Sequence, residues 1–125
     1  MKRTRSKQTT RAKPRISAER VAEMIEEATV DAYDESEQAI GWLAMFENHL
    51  DLPFDTDVLG VRVTVEKIDL RDDNRIVAVC RRGKQKQSIA ITELPLPTPK
   101  PAGADWIEAY SHWRGRQWSS ATFRP

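Results

Sequence analysis

From Glu19 to Asp57 the chain carries twelve carboxylates and one basic side chain, Arg20, a local net charge of −11 in a protein whose total is +1. Apolar residues recur through this block at helical spacing, and Pro53 ends it by forcing Leu52 out of helical geometry. An acidic segment with that period folds as surface helices that bury one stripe and leave the carboxylates in water. A field so one-sided in a small domain attracts cations.

Two helices fit the block. The first starts at Ser17, a serine N-cap flanked by Ile16 and Val21 as a hydrophobic staple. Val21, Met24, Ile25 and Ala28 form its inner stripe, and falling propensity through Thr29, Val30 and Asp31 sets its end near Tyr33. Asp34 restarts the helix with a capping-box pattern, Asp34-x-x-Glu37. Ala39, Ile40, Leu43, Phe46 and Leu50 supply the second stripe, with Trp42 flanking it. Gly41 costs about 1 kcal/mol inside a helix, which points to close packing against another backbone.

From Gly60 the period becomes two. Val61, Val63 and Val65 alternate with Arg62, Thr64 and Glu66; Asp72-Asp73-Asn74 is a turn; residues 75–82 and 86–92 are further strands separated by Gly83-Lys84. The proline-rich stretch 95–101 is a stiff extended linker. A last helix starts at Asp105, with Asp105-x-x-Glu108 as a second capping pattern and Trp106, Tyr110 and Trp113 on one core-facing side. These elements define an α+β fold: two N-terminal helices, a small antiparallel β-barrel (SH3-like) or meander, and a C-terminal helix.

Length and composition set the rest. A chain of 125 residues, 39% hydrophobic and 31% charged, holds one modest domain, here residues 16–118, with a tail at 119–125. Residues 1–15 carry seven basic side chains and no acid, and read as a disordered basic arm. No apolar run spans a membrane or forms a signal peptide, and a single cysteine, Cys80, suits a reducing cytoplasm.

Asp31, Asp34, Glu35 and Glu37 crowd one helix break. Calcium takes six to eight oxygens, and a loop entering a helix offers carboxylates and free carbonyls together. The same acids also serve a helix start without a metal, as caps and as charges favourable to the dipole. An EF-hand is excluded. A loop begun at Asp31 places Ser36 at the glycine position and Trp42 at the bidentate glutamate, and one begun at Asp69 places Asn74 and Cys80 there. Asp51, Asp55 and Asp57 flank Pro53 as further oxygen donors or as solvated corner residues.

The run from Val30 to Phe54, with Asp31-Ala32-Tyr33, Glu35 and Glu37, Gly41-Trp42 and Leu52-Pro53-Phe54, resembles the cyanobacterial-type calcium-binding family known as CcbP. The similarity extends more weakly through the valine strand, residues 89–94 and the Trp106/Trp113 helix, about residues 16–118. The resemblance implies Ca2+ binding, as buffer or sensor, on an acidic surface beside a small β-barrel-like unit, with Asp31, Asp34, Glu35 and Glu37 as candidate ligands. Ser36 interrupts the acidic triplet, and the basic arm departs from the acidic character of the family.

The alternative is an interaction module whose basic residues, Arg3, Arg5 and Arg11 in the arm and Arg81 and Arg82 in a strand, contact nucleic acid or an acidic regulatory protein. No enzyme signature is present in the sequence: His49 and His112 are isolated, and there is no nucleophile elbow, phosphate loop or zinc spacing. The expectation is a protein that is not an enzyme.

Overall fold

A computed structural model describes the backbone of residues 16–122 and the side chains of residues 16–115. The basic arm, with Arg3, Arg5 and Arg11, lies outside the described residues. Helix α1 (Ala18–Thr29) starts as its sequence predicts, with the Ser17 hydroxyl accepting from the Arg20 N–H at 3.0 Å. It stops at Thr29, short of Tyr33. Val30 is extended and Asp31 takes a left-handed φ of 58°, and a left-handed residue breaks the i→i−4 ladder.

Helix α2 (Glu35–His49) carries the capping box in full. Its buried stripe is shifted by one phase from the sequence expectation. Trp42, expected at the flank, is fully buried, and Ile40, expected in the stripe, is exposed. The inward residues are Ala39, Trp42, Phe46 and Leu50, because α1 crosses α2 at Gly41 and turns Ile40 to solvent. A methyl group on Gly41 would lie 2.0 Å from the Ala28 carbonyl oxygen, so the close backbone approach implied by that glycine is present.

Four antiparallel strands follow in the order β1 (Phe54–Val58), β2 (Val61–Leu70), β3 (Ile76–Arg82) and β4 (Gln85–Ala90). The sheet is an open meander and does not close into a barrel. β1 and β4 remain edges, and one face is instead covered by the helices. The Thr56 hydroxyl of β1 donates to the Pro95 carbonyl at 2.7 Å, tying that edge to the linker.

Two features of the sheet depart from expectation. β1 is an additional strand in the stretch read as a corner. β2 runs four residues past Glu66, because Glu66 is an extra residue in the ladder: Val65 faces Cys80 while Lys67 faces Val79. Such a bulge shifts the side-chain phase by one, so Val65 and Ile68 are both buried although three residues apart.

A 3-10 turn (Ile91–Glu93) ends β4 and buries Ile91. Helix α3 (Ala104–Thr122) begins behind Gly103, which puts Asp105 inside the first turn and not at the cap. Gly103 has φ 87°, and an added Cβ would lie 2.1 Å from the His49 carbonyl oxygen, so the end of α2 and the start of α3 touch backbone to backbone. Trp42, Phe46, Trp106, Tyr110 and Trp113 form one aromatic cluster against Val65, Ile76 and Ile91. Trp106 and Trp113 of α3 are core, as their spacing predicts. Cys80 is buried, and burial pushes its thiol pKa up, which makes it an inert core residue.

Candidate functional site

The corner between α1 and α2 holds Asp31, Asp34, Glu35 and Glu37, all exposed. Local chemistry fixes two of them. One Asp34 oxygen accepts from the Glu37 N–H at 2.8 Å, and one Glu37 oxygen accepts from the N–H groups of Tyr33 at 2.6 Å and Asp34 at 3.3 Å. These bonds satisfy donors that a helix start leaves unpaired. Asp31 and Glu35 make no side-chain hydrogen bond among the described residues and stand on either side of that cap.

The donor chemistry of the corner suits a hard cation: carboxylate oxygens, with neither thiolate nor imidazole among them. The donors do not converge. Among the described residues no three His, Cys, Asp or Glu side chains stand together as a group able to hold a metal ion. The structure therefore contains the right ligand types without a finished coordination shell, and two of the four acids already carry a structural role.

That role separates the four by mutation. Asp34→Ala is expected to lower stability in chelator by about 1 kcal/mol, the ordinary loss of an N-cap, whereas Glu35→Ala is expected to change it by less than about 0.5 kcal/mol. Urea midpoints of the two variants without divalent ions check this. Equal losses would mean that the cap contributes nothing.

One neighbour of the corner was not visible in the sequence. The Ser36 hydroxyl donates to the Asn74 side-chain oxygen at 3.2 Å, which brings the β2–β3 turn against the start of α2 across 38 residues of chain. In that turn Asp73 accepts from the Arg75 N–H at 3.1 Å and pairs with its guanidinium at 3.1 Å. The only local sign in the sequence is the run Asp72-Asp73-Asn74, which predicts a turn and nothing about its partner.

The other candidates are placed elsewhere. Asp55 accepts from the Thr64 hydroxyl at 2.7 Å, and Asp57 pairs with Arg62 at 2.7 Å, so both act as cross-strand partners within the β1–β2 hairpin. The Asp51 N–H donates to the Ala102 carbonyl at 2.9 Å at the meeting of α2 and α3.

Arg81 and Arg82 are consecutive on β3 and so face opposite sides of the sheet. Arg81 is bonded to the Glu66 carboxylate, which also meets Lys86 at 3.3 Å. The Arg81 hydrogen bond, and then Lys86, hold the Glu66 carboxyl below its ordinary range. Arg81 is thus committed to an acid of its own sheet. No helix among the described residues is long and apolar enough to cross a membrane.

Comparison with known proteins fits this architecture. The crystal structure of Anabaena CcbP superposes with a TM-score of 0.61 at 18% identity, covering 79% of this chain and 92% of that one. A calcium-binding protein in its calcium-binding form superposes with a TM-score of 0.56 at 18% identity, covering 86% and 94%. At such identity the likeness is one of fold. No curated protein matches the chain. The family model for CcbP-type calcium binding matches residues 19–114, from the first turn of α1 into α3, and on that match the chain belongs to the CcbP family of calcium-binding proteins.

Proposed function

We propose that the protein binds Ca2+ reversibly at the α1–α2 corner. The family match over residues 19–114 carries the reading, and the eight carboxylates against one arginine in residues 19–37 support it. Asp31 and Glu35 would contribute whole carboxylates, and Asp34 and Glu37 the oxygens that the cap leaves over. An ion held there relieves the mutual repulsion of the four acids and fixes the link between the two helices. The left-handed Asp31 and the exposed Tyr33 lie in that link, so binding bears on a short exposed segment and not on the core. Because the same corner bears on the β2–β3 turn through Ser36 and Asn74, a change there reaches the sheet, which suits a sensor better than a passive buffer. Nothing in the placement of Arg81 and Arg82 favours the nucleic-acid alternative.

Isothermal titration of chelator-stripped protein with calcium, repeated with magnesium, tests the proposal. Saturable calcium binding that magnesium does not reproduce is expected, with Asp31→Ala and Glu35→Ala each weakening it. A ligand at a hundred times its Kd adds about 2.7 kcal/mol to stability, so the same protein should also melt later in calcium. No heat and no change in Tm at millimolar calcium would overturn the assignment.

A further inference from the structure

Helix α1 carries its acids in one stripe. Glu19, Glu23, Glu26 and Glu27 recur at i, i+4, i+7 and i+8, which places them on one face, opposite the buried Val21, Met24 and Ala28. Like charges four residues apart on a helix repel, as Glu19/Glu23 and Glu23/Glu27 do here. The end of the helix adds to this. Glu26 and Glu27 stand in its last turn, where the helix dipole is negative, and that turn holds no basic residue.

The stripe runs on into the corner. Residues 26–37 hold six carboxylates and no Lys or Arg, and all six are exposed. Among the described residues the one ion pair of α1 and the corner is Arg20 with Glu23 at 3.5 Å, near the start of α1. The outer face of α1 and the corner therefore form a continuous negative surface that repels itself and lacks a local counter-charge.

The chain carries such a counter-charge immediately upstream. Residues 1–15 hold seven Lys and Arg and no acid. Their attachment point is fixed, because Ile16 packs against the core and Ser17 caps α1. The 12 residues of α1 make a helix about 18 Å long. Fifteen residues reach at most about 50 Å, so the arm can cover both the stripe and the corner from where it is attached. Tethering raises the effective concentration of such a contact, so modest charge pairing suffices.

We propose that the basic arm, residues 1–15, docks along the acidic face of α1 and over the α1–α2 corner of its own chain, where it and calcium displace one another. The proposal rests on the calcium reading of that corner. Arm and ion are both cationic and draw on the same carboxylates, Asp31 and Glu35 first among them. By linkage each weakens the other by the same factor, so calcium releases the arm. A change in the accessibility of seven basic residues gives a calcium sensor an output.

Two measurements on the full chain test this. In the first, a nitroxide is placed on Ser6→Cys; Cys80 is buried and leaves the new thiol as the site of labelling. In chelator at low salt it should broaden the amide signals of residues 26–37. It should spare the Gly83-Lys84 turn, which lies at the far end of β3 from the Ser36–Asn74 contact. Calcium, or about 1 M salt, where charges are screened within about 3 Å, should relieve the broadening. In the second, a variant with all seven basic residues of the arm changed to Gln should bind calcium at least about fivefold more tightly than the parent by isothermal titration at low salt.

Equal calcium affinity in the two proteins overturns the proposal and leaves the calcium reading standing. So does a tighter Kd without local broadening, which would be the field of seven charges acting from a distance. Broadening that calcium does not relieve overturns the competition. Calcium heat absent from both proteins would instead overturn the calcium reading, and the proposal with it.

Discussion

Trp42→Ala is expected to remove about 3–5 kcal/mol of stability, which in a domain of this size is a large part of the total of about 5–15 kcal/mol. The indole is fully buried, with ring centres of Tyr110 at 5.3 Å, Trp113 at 5.7 Å, Trp106 at 6.3 Å and Phe46 at 6.4 Å around it. Truncation opens a cavity where α2, α3 and the sheet meet, and rigid aromatic neighbours close it poorly. Trp42→Phe should behave differently. The indole N–H has no hydrogen-bond partner among the described residues, and a buried donor left unpaired costs about 1–3 kcal/mol. Phenylalanine loses packing area but also removes that donor, so it should unfold within about 2 kcal/mol of the parent. Denaturant titrations of the two variants check the order. A phenylalanine variant as unstable as the alanine one would mean that the N–H is satisfied in solution.

Which parts of this arrangement were legible depends on how far apart the interacting residues lie. The Ser17 cap and the Asp34/Glu37 box were readable because each is a bond between residues three apart. Gly41 was readable because a glycine inside a good helix needs a reason, and a neighbouring backbone is the commonest one. The phase of the α2 stripe was not, since Ile40 and Trp42 are both plausible inward residues until α1 is laid across Gly41. β1 was hidden by its composition: Asp55 and Asp57 are poor strand formers, and they hold the strand through Thr64 and Arg62 across the hairpin. The Glu66 bulge disguised the second half of β2 by shifting its alternation. For the site, the four acids were visible as a cluster. That two of them cap α2 was visible as well; that Asn74 stands beside Ser36 is a fact of the folded chain.

Gly41→Ala is expected to rival Trp42→Ala in cost, although it adds one methyl group. The added Cβ would lie 2.0 Å from the Ala28 carbonyl oxygen and 3.2 Å from its carbon. Both are backbone atoms of α1, so no side chain can rotate away, and relief requires the two helices to move apart. Over-packing of this kind costs about 1–3 kcal/mol where neighbours can yield; against a rigid helix the upper end or more is expected. Gly115→Ala in α3 is the matched control. Nothing among the described residues lies within 4 Å of its added Cβ, and the same substitution there should stabilise the helix by about 0.5–1 kcal/mol. Opposite signs for one chemical change would isolate the helix crossing as the cause. The crossing also sets the spacing of Asp31 and Glu35 across the corner, so Gly41→Ala should weaken calcium binding by isothermal titration even where the protein remains folded, while Gly115→Ala should leave it unchanged. A folded Gly41→Ala protein with undiminished calcium affinity would show that the ion is held without the α1–α2 geometry, and the ligands would then have to be sought away from this corner.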